Sequence, residues 1–490
     1  MMLNFHMFRP AKTMICGTLL CCFTVAPLLG VVLAHADTSD DLVMALINKG
    51  VLTEEEGAPL LKNKTLKQDK AKVRNEVTAS YADGLTFQTA DQANVIAMRG
   101  RVEFDSRNYG KKDEQNIDTF DIRRASITLK GKINQYYDFN LTADFAQQNS
   151  ALDEAFIGIN WFNQAKFKLG QFDIPFGMEH LTSDLFIDFQ ERSFVDTLAP
   201  GKERGAMLHG APIKGFYYGA AVSNGRGQNT NNQDSHVENL DLIARVTTNL
   251  GDVFNIEDVV YHVGIDYAKG DVSANQATGS AQLTAGGFTA PSLRTEGRGI
   301  RFFNPGKFSA ALTDNAVTRT RYGLEGAYAN GALKLQSEWV KHNYAGNNSA
   351  DIAFDKDLNA GYISTYYMLT GESLAATYQP NGTWGRVKPK QDFSVDGNGF
   401  GAIGIGLRYA KFNAADFDEG LGAITVGQST THAQAWTAGV RWILNSHTHL
   451  VANYVTTHFS DSLDVKNSAR VKVGNTNREN AITLRAQMDF

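Results

Sequence analysis

Residues 136–146 of this 490-residue chain read YYDFNLTADFA, and from 137 to 145 they alternate strictly between apolar and polar side chains. The apolar members are Tyr137, Phe139, Leu141, Ala143 and Phe145, and the polar members are Asp138, Asn140, Thr142 and Asp144. Because successive side chains of a β-strand point to opposite faces, the stretch predicts a strand with one apolar and one polar face. Its length, about ten residues, is what a tilted strand needs to cross a bilayer.

The same alternation recurs from residue 76 to the end of the chain. Further examples are NVIAMRGRVEFD (94–105), NLDLIARVTTNL (239–250), RYGLEGAYANG (321–331), WTAGVRWILN (436–445) and AITLRAQMDF (481–490). Turn dipeptides such as Asn224-Gly225 and Asn330-Gly331 separate the segments, and counting them gives 16 to 18 strands. Aromatic residues near the strand ends, Trp161 and Tyr366 among them, suggest girdles at the two membrane interfaces.

This pattern predicts an all-β fold, a closed antiparallel transmembrane β-barrel over residues 76–490. A mean hydropathy of -0.28 is too polar for a helical membrane protein. Within lipid only helices and closed barrels satisfy every backbone polar group, so the strands should close on themselves. A barrel of this size leaves a water-filled lumen lined by the polar parity of each strand.

Residues 1–36 predict a secretory signal peptide. Arg9 and Lys12 precede a long apolar stretch, and Ala34-His35-Ala36 follows as an A-x-A cleavage site. A membrane anchor is the alternative, because the apolar stretch is long for a signal. Cleavage would remove all three cysteines and leave 45 basic residues against 52 acidic ones, a net charge of -7. That balance disfavours a nucleic-acid-binding protein.

Residues 37–75 predict a short helical segment in the periplasm. An apolar stripe follows Asp40 and Asp41, Gly50 ends it, and Thr53 and Glu56 form the sequence of a capping box. A small helical or coiled-coil element fits this stretch, and a locally ordered tail is the alternative.

The most informative candidate site is a set of basic residues on lumen parity. Its members are Arg99, Arg101, Arg124, Lys130, Lys166, Lys168, Arg245, Arg441 and Arg485. Rings of Arg and Lys select anions in pores, since each guanidinium offers a fork of donors to a phosphate or carboxylate. Acidic residues share the parity, namely Asp138, Asp144, Glu154, Asp241 and Glu325. A wall of mixed charge with little selectivity is therefore the alternative.

The long connection 173–205 is too apolar for a free external loop. We expect it to fold inward and narrow the lumen, with packing between subunits as the competing explanation. The polar stretches 225–237, 271–297, 346–358 and 461–478 predict outer loops.

Enzyme and metal chemistry are poorly supported. His458 and Ser460 share a face, as a barrel hydrolase would require, but no third group is evident. His447 and His449 fit an ordinary turn between two strands, and no further ligands complete a metal site. We expect no enzymatic activity, cofactor or metal.

The chain resembles the phosphate-selective porins O and P of Gram-negative outer membranes, from about residue 94 to residue 490. The motifs that carry the resemblance, in order, are FDIRRASITLKG, YYDFNLTADFA, LDEAFIGI, KFKLGQFDIPFGME, YGLEGAY, YMLTGES, TAGVRWILN and the last strand. The resemblance implies a sixteen-stranded barrel, a homotrimer, and a third long loop folded into each pore. It also implies that Phe490 is the terminal aromatic recognised by the barrel-assembly machinery.

The resemblance assigns anion binding to Arg123, Arg124 and the acidic residue Asp153. Strict alternation places only Arg124 in the lumen, so Arg123 needs a bulge or a subunit contact. Where phosphate-binding members have a lysine and two serines in the constriction loop, this chain has His180, Ser183 and Asp184. A carboxylate there would repel a phosphate dianion, and histidine is mostly neutral at pH 7.

The function we expect is passive diffusion of small solutes through an outer-membrane porin that prefers anions, with phosphate or polyphosphate as possible solutes. A general non-selective porin is the first alternative. A non-conducting structural or adhesin barrel, or a barrel hydrolase, is the alternative from another class.

Overall fold

The computed structural model describes eleven stretches of the chain, residues 38–53, 55–57, 76–81, 84–111, 113–146, 152–230, 240–272, 290–306, 317–347, 352–420 and 422–490. The chain divides into two units, residues 1–72 and 73–490. The predicted signal peptide at 1–36 lies outside the described residues. The first unit contains helix α1 (Thr38–Asn48). In the capping box that follows it, the Thr53 backbone N–H donates to Glu56 Oε2 at 2.9 Å, and the Glu56 N–H donates to Thr53 Oγ1 at 3.3 Å.

Among the described residues, no helix has both the length and the apolar character that a membrane span requires.

The second unit is built from β-strands. A hairpin of β1 (Val77–Tyr81) and β2 (Leu85–Thr89) comes first, and two strands of two residues each, β15 (Tyr378–Gln379) and β16 (Thr383–Trp384), pair with each other late in the chain. The barrel strands are β3 (Val95–Tyr109), β4 (Thr119–Ile133), β5 (Tyr137–Asp144), β6 (Leu152–Phe162), β7 (Ala165–Asp173), β8 (Lys202–Gly210), β9 (Phe216–Ser223), β10 (Asp241–Asn249), β11 (Val259–Val272), β12 (Val317–Asn330), β13 (Leu333–Asn347), β14 (Ala353–Met368), β17 (Ala402–Asn413), β18 (His432–Asn445), β19 (Thr448–Lys466) and β20 (Lys472–Asp489).

Each barrel strand pairs antiparallel with its neighbours along the chain, and β20 closes the barrel on β3. The closing register runs from Ala481 opposite Tyr109 to Asp489 opposite Arg101. Within the described residues the barrel has sixteen strands, as predicted. The period of two explains the fold, because exposed and buried residues alternate along strands such as β11 and β20. The exposed apolar parity faces lipid and the buried polar parity faces the lumen.

Two of the predicted outer loops are largely strand. β13 and β14 leave only 348–352 between them, and β19 and β20 leave only 467–471, so the loop predictions at 346–358 and 461–478 are wrong. Most residues of these strand ends are polar, and the alternation of Leu463 and Val465 with polar neighbours is too short to predict a strand. Tyr366 also differs from its prediction as a girdle residue. It is 3% exposed, and its ring centroid lies 6.4 Å from that of Phe189 inside the barrel.

Three connections fold into the lumen. The first, here the inward loop, is 174–201 and contains helices α2 (Met178–Leu181) and α3 (Phe194–Leu198). The second, the covering segment, is 290–306, and its Phe302 ring centroid lies 5.3 Å from that of Phe194. The outer-loop prediction at 271–297 is therefore wrong for its described part. Ala290 and Leu293, within the predicted range, are buried in the core, and an outer loop would leave them in water.

The third connection, the lower insert, is 374–390 and enters from the opposite end of the barrel. It lies at the end that carries the short turns, such as 134–136 and 331–332, which in outer-membrane barrels is the periplasmic end. Trp384 donates its backbone N–H to Thr182 Oγ1 of the inward loop at 3.2 Å. The Arg386 guanidinium lies 5.2 Å from the Phe186 ring centroid. The lower insert therefore meets the inward loop inside the lumen.

Buried charges fasten these inserts to the barrel. Arg408 of β17 donates to Glu179 of the inward loop at 2.9 Å and to Glu296 of the covering segment at 2.8 Å. Lys334 of β13 lies 2.7 Å from Asp188 of the inward loop. One guanidinium from the barrel thus holds two separate inserts.

Replacing Arg408 with methionine should loosen both inserts and leave the strand pairing intact. Glu179 and Glu296 would stay buried without their counter-charge, which costs about 3–5 kcal/mol for comparable pairs. Limited proteolysis of the folded barrel should then cleave within 174–201 and 290–306. Lys411→Met, at an exposed position of the same strand, is the control and should resist like the unmodified protein. Adding Glu179→Gln and Glu296→Gln to Arg408→Met should restore part of the resistance, and no restoration would contradict the electrostatic explanation.

A second prediction concerns the closing seam. The backbones of Gly100 and Phe490 exchange two hydrogen bonds, of 2.6 and 2.9 Å, and a Cβ on Gly100 would lie 2.3 Å from the Phe490 ring. Gly100→Leu should therefore displace the ring and destabilise the closed barrel by about 1–3 kcal/mol, as overpacking does. The measurement is the folded fraction after refolding, read from the faster migration of unheated barrel on a gel. The control is Gly474→Leu, in open space on β20. Equal folded fractions in the two variants would contradict the prediction.

Candidate functional site

The basic wall of the lumen is formed by β3 and β4. Arg99 and Arg101 alternate inward along β3, as predicted from parity. On β4 the register shifts, because Glu103 lies opposite Arg124 whereas Phe104 lies opposite Ile122. Arg123 is the extra residue of a β-bulge, and a bulge can turn two consecutive side chains to one face. Of the two explanations offered for Arg123, the bulge is the one that the structure contains.

Two carboxylates of the inward loop lie on this wall. Arg123 donates to Glu191 from Nε at 3.1 Å and from Nη2 at 3.3 Å. Arg124 donates from Nε to Asp184 at 3.1 Å and from Nη1 to Asp144 of β5 at 2.8 Å. Arg101 also donates to Asp184. The Arg123–Arg124 pair is thus inside the barrel and is already in contact with protein carboxylates.

The surroundings of Asp184 and Glu191 favour the ionised form of both carboxylates. Burial opposes ionisation of Asp184, but the attraction of Arg101 and Arg124 outweighs it and holds the pKa well below its usual range. Burial likewise opposes ionisation of Glu191, and neighbouring arginines, Arg123 first, hold its pKa well below the usual range. The inward loop therefore contributes two fixed negative charges to the basic wall at neutral pH.

Three further residues predicted for the constriction, His180, Ser183 and Asp153, also have partners in the structure. His180 Nδ1 lies 2.7 Å from Asp196 Oδ1, and Ser183 Oγ accepts a 3.4 Å hydrogen bond from the Leu185 N–H. Asp153 is the extra residue of a second bulge, since Thr142 lies opposite Glu154 and Ala143 opposite Leu152. Lys202 Nζ lies 3.4 Å from the Asp153 carboxylate.

The predicted lysines extend the wall toward the short-turn end. Lys130 is on β4, and Lys166 and Lys168 share the inward parity of β7. The Lys168 ammonium lies 4.3 Å from the Phe156 ring centroid, a cation–π geometry.

Three of the predicted arginines face inward but anchor other parts of the protein. Arg245 donates to Glu325 at 2.8 and 2.7 Å and to the Asn381 carbonyl of the lower insert at 2.6 Å. Arg441 donates to two carbonyl oxygens of the inward loop, at 2.9 and 2.6 Å. Arg485 donates to Asp105 at 2.7 and 2.9 Å and to Glu191 at 3.0 Å. Strand parity predicted that these three arginines face the lumen. Their contacts with the loops depend on tertiary structure, which parity does not give.

Three adjoining cavities follow the basic wall. The central one, ≈ 860 Å³, has eight basic and six acidic residues in its lining, and the basic ones are Arg99, Arg101, Arg123, Arg124, Lys130, Arg192, Lys202 and Arg386. The cavity toward the short-turn end, ≈ 710 Å³, shares Arg99 and Lys130 with it. The cavity toward the long loops, ≈ 250 Å³, shares Arg123 and Asp184. Basic residues outnumber acidic ones in each lining, so each cavity has an excess of positive formal charge around it.

Sequence reasoning missed several basic residues of these cavities, namely Lys132, Arg192, Lys202, Arg294, Arg298, Arg301 and Arg386. All except Lys132 and Lys202 belong to the inserts, where strand parity does not apply. Lys202 is the first residue of β8, at the boundary where parity is hardest to assign.

The hydrolase alternative finds no support in the described residues. His458 and Ser460 lie on the outer face of β19, but the Ser460 hydroxyl is hydrogen-bonded to Thr430 at 2.8 Å and to Asp461 at 3.1 Å. His447 lies 3.2 Å from Asp489, whereas His449 is buried against Gln487. Within the described part of the chain, no cluster of three or more His, Cys, Asp or Glu side chains could hold a metal ion.

Comparison with known proteins finds a relative by sequence and several similar solved structures. Porin O of Pseudomonas aeruginosa is 25% identical over 400 residues, which cover 78% of this chain and 86% of that protein. The solved structures similar to this chain include an anion-selective porin from Comamonas acidovorans, with 14% identity, a TM-score of 0.47, and coverage of 81% of this chain and 100% of that one. They also include the outer-membrane channel DcaP of Acinetobacter baumannii, with 10% identity, a TM-score of 0.45, and coverage of 84% and 100%.

The family model for phosphate-selective porin O and P matches residues 96–490, well over half of the chain. The matched range contains fifteen complete barrel strands and all but the first residue of β3, together with all three inserts. The chain therefore belongs to the phosphate-selective porin O and P family and is a porin of the bacterial outer membrane.

Proposed function

We propose that this porin conducts small anions preferentially, by passive diffusion along the basic wall of β3 and β4. The observation that carries the proposal is the run of Arg99, Arg101, Arg123, Arg124 and Lys130, which lines the central cavity and extends into both neighbouring ones. Inorganic phosphate is one candidate solute, since a guanidinium fork matches its oxygens.

Conduction needs binding that is strong enough to attract an anion and weak enough to release it. Each guanidinium supplies donors that replace part of the hydration shell of the anion. The carboxylates of Asp144, Asp184 and Glu191 share those donors, so none of these arginines offers its full charge to a solute. An anion therefore moves between adjacent, partly neutralised positions.

The inserts set the size limit in this proposal. The inward loop and the lower insert meet inside the lumen, through Thr182 and Trp384, and leave the cavities on the β3–β4 side. The predicted constriction residues His180, Ser183 and Asp184 all line the central cavity.

We further propose a homotrimer in the outer membrane, inserted by the barrel-assembly machinery with Phe490 as part of its signal. Membership of the family supports both statements. The exposed apolar parity, including the stacked rings of Phe104 and Phe120 at 5.7 Å, supplies surface for lipid or for a neighbouring copy. Cross-linking of the unheated protein would measure the oligomeric state.

The proposed function predicts a reversal potential of anionic sign in a planar bilayer across a salt gradient. Arg124→Ala should reduce the ratio of anion to cation permeability by about three- to tenfold. The Coulomb interaction between one unit charge and a monovalent ion ~12 Å away, at an effective dielectric constant of ~20, is roughly 1.4 kcal/mol, which sets the upper end of this range. Arg478→Ala, at an exposed position of β20 outside the cavity linings, is the control and should leave the ratio unchanged.

Two outcomes would contradict the proposal. A wild-type ratio near one would leave a general diffusion porin, which the six acidic residues of the central cavity would favour. Absence of current from correctly folded barrels would exclude conduction and favour a structural or adhesin role.

A further inference from the structure

Asp184 occupies the basic wall in the way that a bound anion would. Its two carboxylate oxygens are held by different arginines, Oδ1 by Arg101 and Oδ2 by Arg124 at 3.1 Å. Arg124 also donates from Nη1 to Asp144, at 2.8 Å. Donors of two arginines that could bind two oxygens of a permeating phosphate or carboxylate are therefore engaged by one side chain of the protein.

The position of Asp184 is where the anion path is shared by two cavities. Four charged residues line both the central cavity and the cavity toward the long loops, namely Arg123, Asp184, Arg192 and Asp196. The Asp184 side chain is 16% exposed, so it is accessible from the lumen. An anion that crosses this junction passes within reach of the Asp184 carboxylate and its two arginines.

Asp184 is attached to the wall differently from the other loop carboxylates. Glu179 accepts bonds from Arg408 and from the N–H and hydroxyl of Ser193, so it fastens the loop to itself and to β17. The hydrogen bonds recorded for Asp184 in the described structure join it to wall arginines alone. Its carboxylate can therefore leave the arginines without breaking a bond inside the loop.

We infer that Asp184 is a tethered carboxylate that competes with permeating anions for Arg101 and Arg124, so that the pore favours monovalent anions over phosphate dianions. A monovalent anion that displaces Asp184 from the arginines adds one negative charge beside the displaced carboxylate. A dianion adds two, and because like charges repel, its entry is opposed more strongly. This inference rests on the proposed anion conduction and deepens it by naming the class of anion.

The test is block of chloride current by inorganic phosphate in planar bilayers that contain the full-length protein. Asp184→Asn keeps the size of the side chain and removes its charge, and it should lower the half-blocking phosphate concentration about tenfold, which corresponds to 1.4 kcal/mol. Asp196→Asn is the matched control. It removes one charge from the same loop and the same two cavities, but Asp196 pairs with His180 and Arg192. It should shift the block less than about twofold.

A rescue experiment tests competition directly. In Asp184→Ala the two arginines are open to a free carboxylate of similar size, so added formate should weaken the phosphate block competitively. The same formate concentration should change the block in the wild-type protein much less. Failure of formate to compete in the alanine variant would overturn the inference.

Other results would also overturn it. Equal shifts in Asp184→Asn and Asp196→Asn would show that only the net charge of the loop matters. An unchanged block in Asp184→Asn, with new proteolytic cleavage in 174–201, would show that Asp184 only fastens the loop. The wild-type reversal potential tests the proposed function, whereas the difference in block between variants tests the inference, so the two failures can be distinguished.

Discussion

The lumen of this porin depends on one buried guanidinium, that of Arg408. A closed sixteen-stranded barrel leaves an interior too wide to select small ions by itself. Arg408 holds Glu179 of the inward loop and Glu296 of the covering segment, and it also donates to the Glu191 carbonyl at 3.0 Å. Buried ion pairs of this kind are costly to break from one side, since the partner stays charged in a poorly solvated place. One strand therefore fixes two inserts that arrive from different parts of the chain.

The inserts occupy the lumen unevenly, and this unevenness creates the path for solutes. Their anchors lie on β10, β13, β17, β18 and β20, in Arg245, Lys334, Arg408, Arg441 and Arg485. The cavities lie along the β3–β4 side. Inward basic residues thus have two roles. On β10, β13, β17, β18 and β20 they hold the inserts, and on β3 and β4 they line the cavities and also contact carboxylates of the inward loop.

The sequence predicted the features of the fold that depend on the period-two alternation of side chains. Closure, strand number and the inward face of residues such as Arg101 and Arg245 follow from alternation and from the needs of a lipid environment. Arg123 required a bulge, which alternation alone does not locate. The covering segment and the lower insert could not be predicted either, because their burial depends on contacts with residues far along the chain, as between Phe302 and Phe194. The ends of β19 and β20 are mostly polar, and the apolar alternation at Leu463 and Val465 is too short to distinguish a strand from a loop.

The pairing of the wall arginines explains how a strongly basic surface can serve a diffusion channel. An arginine with no partner in a narrow lumen would bind an anion tightly, and tight binding slows release. Arg101, Arg123 and Arg124 each have a protein carboxylate within hydrogen-bonding reach. A solute anion that binds there replaces an interaction already present, so its gain in free energy is the difference between two similar contacts. The positive charge of the basic wall attracts anions, while the neighbouring carboxylates keep each contact weak enough to break.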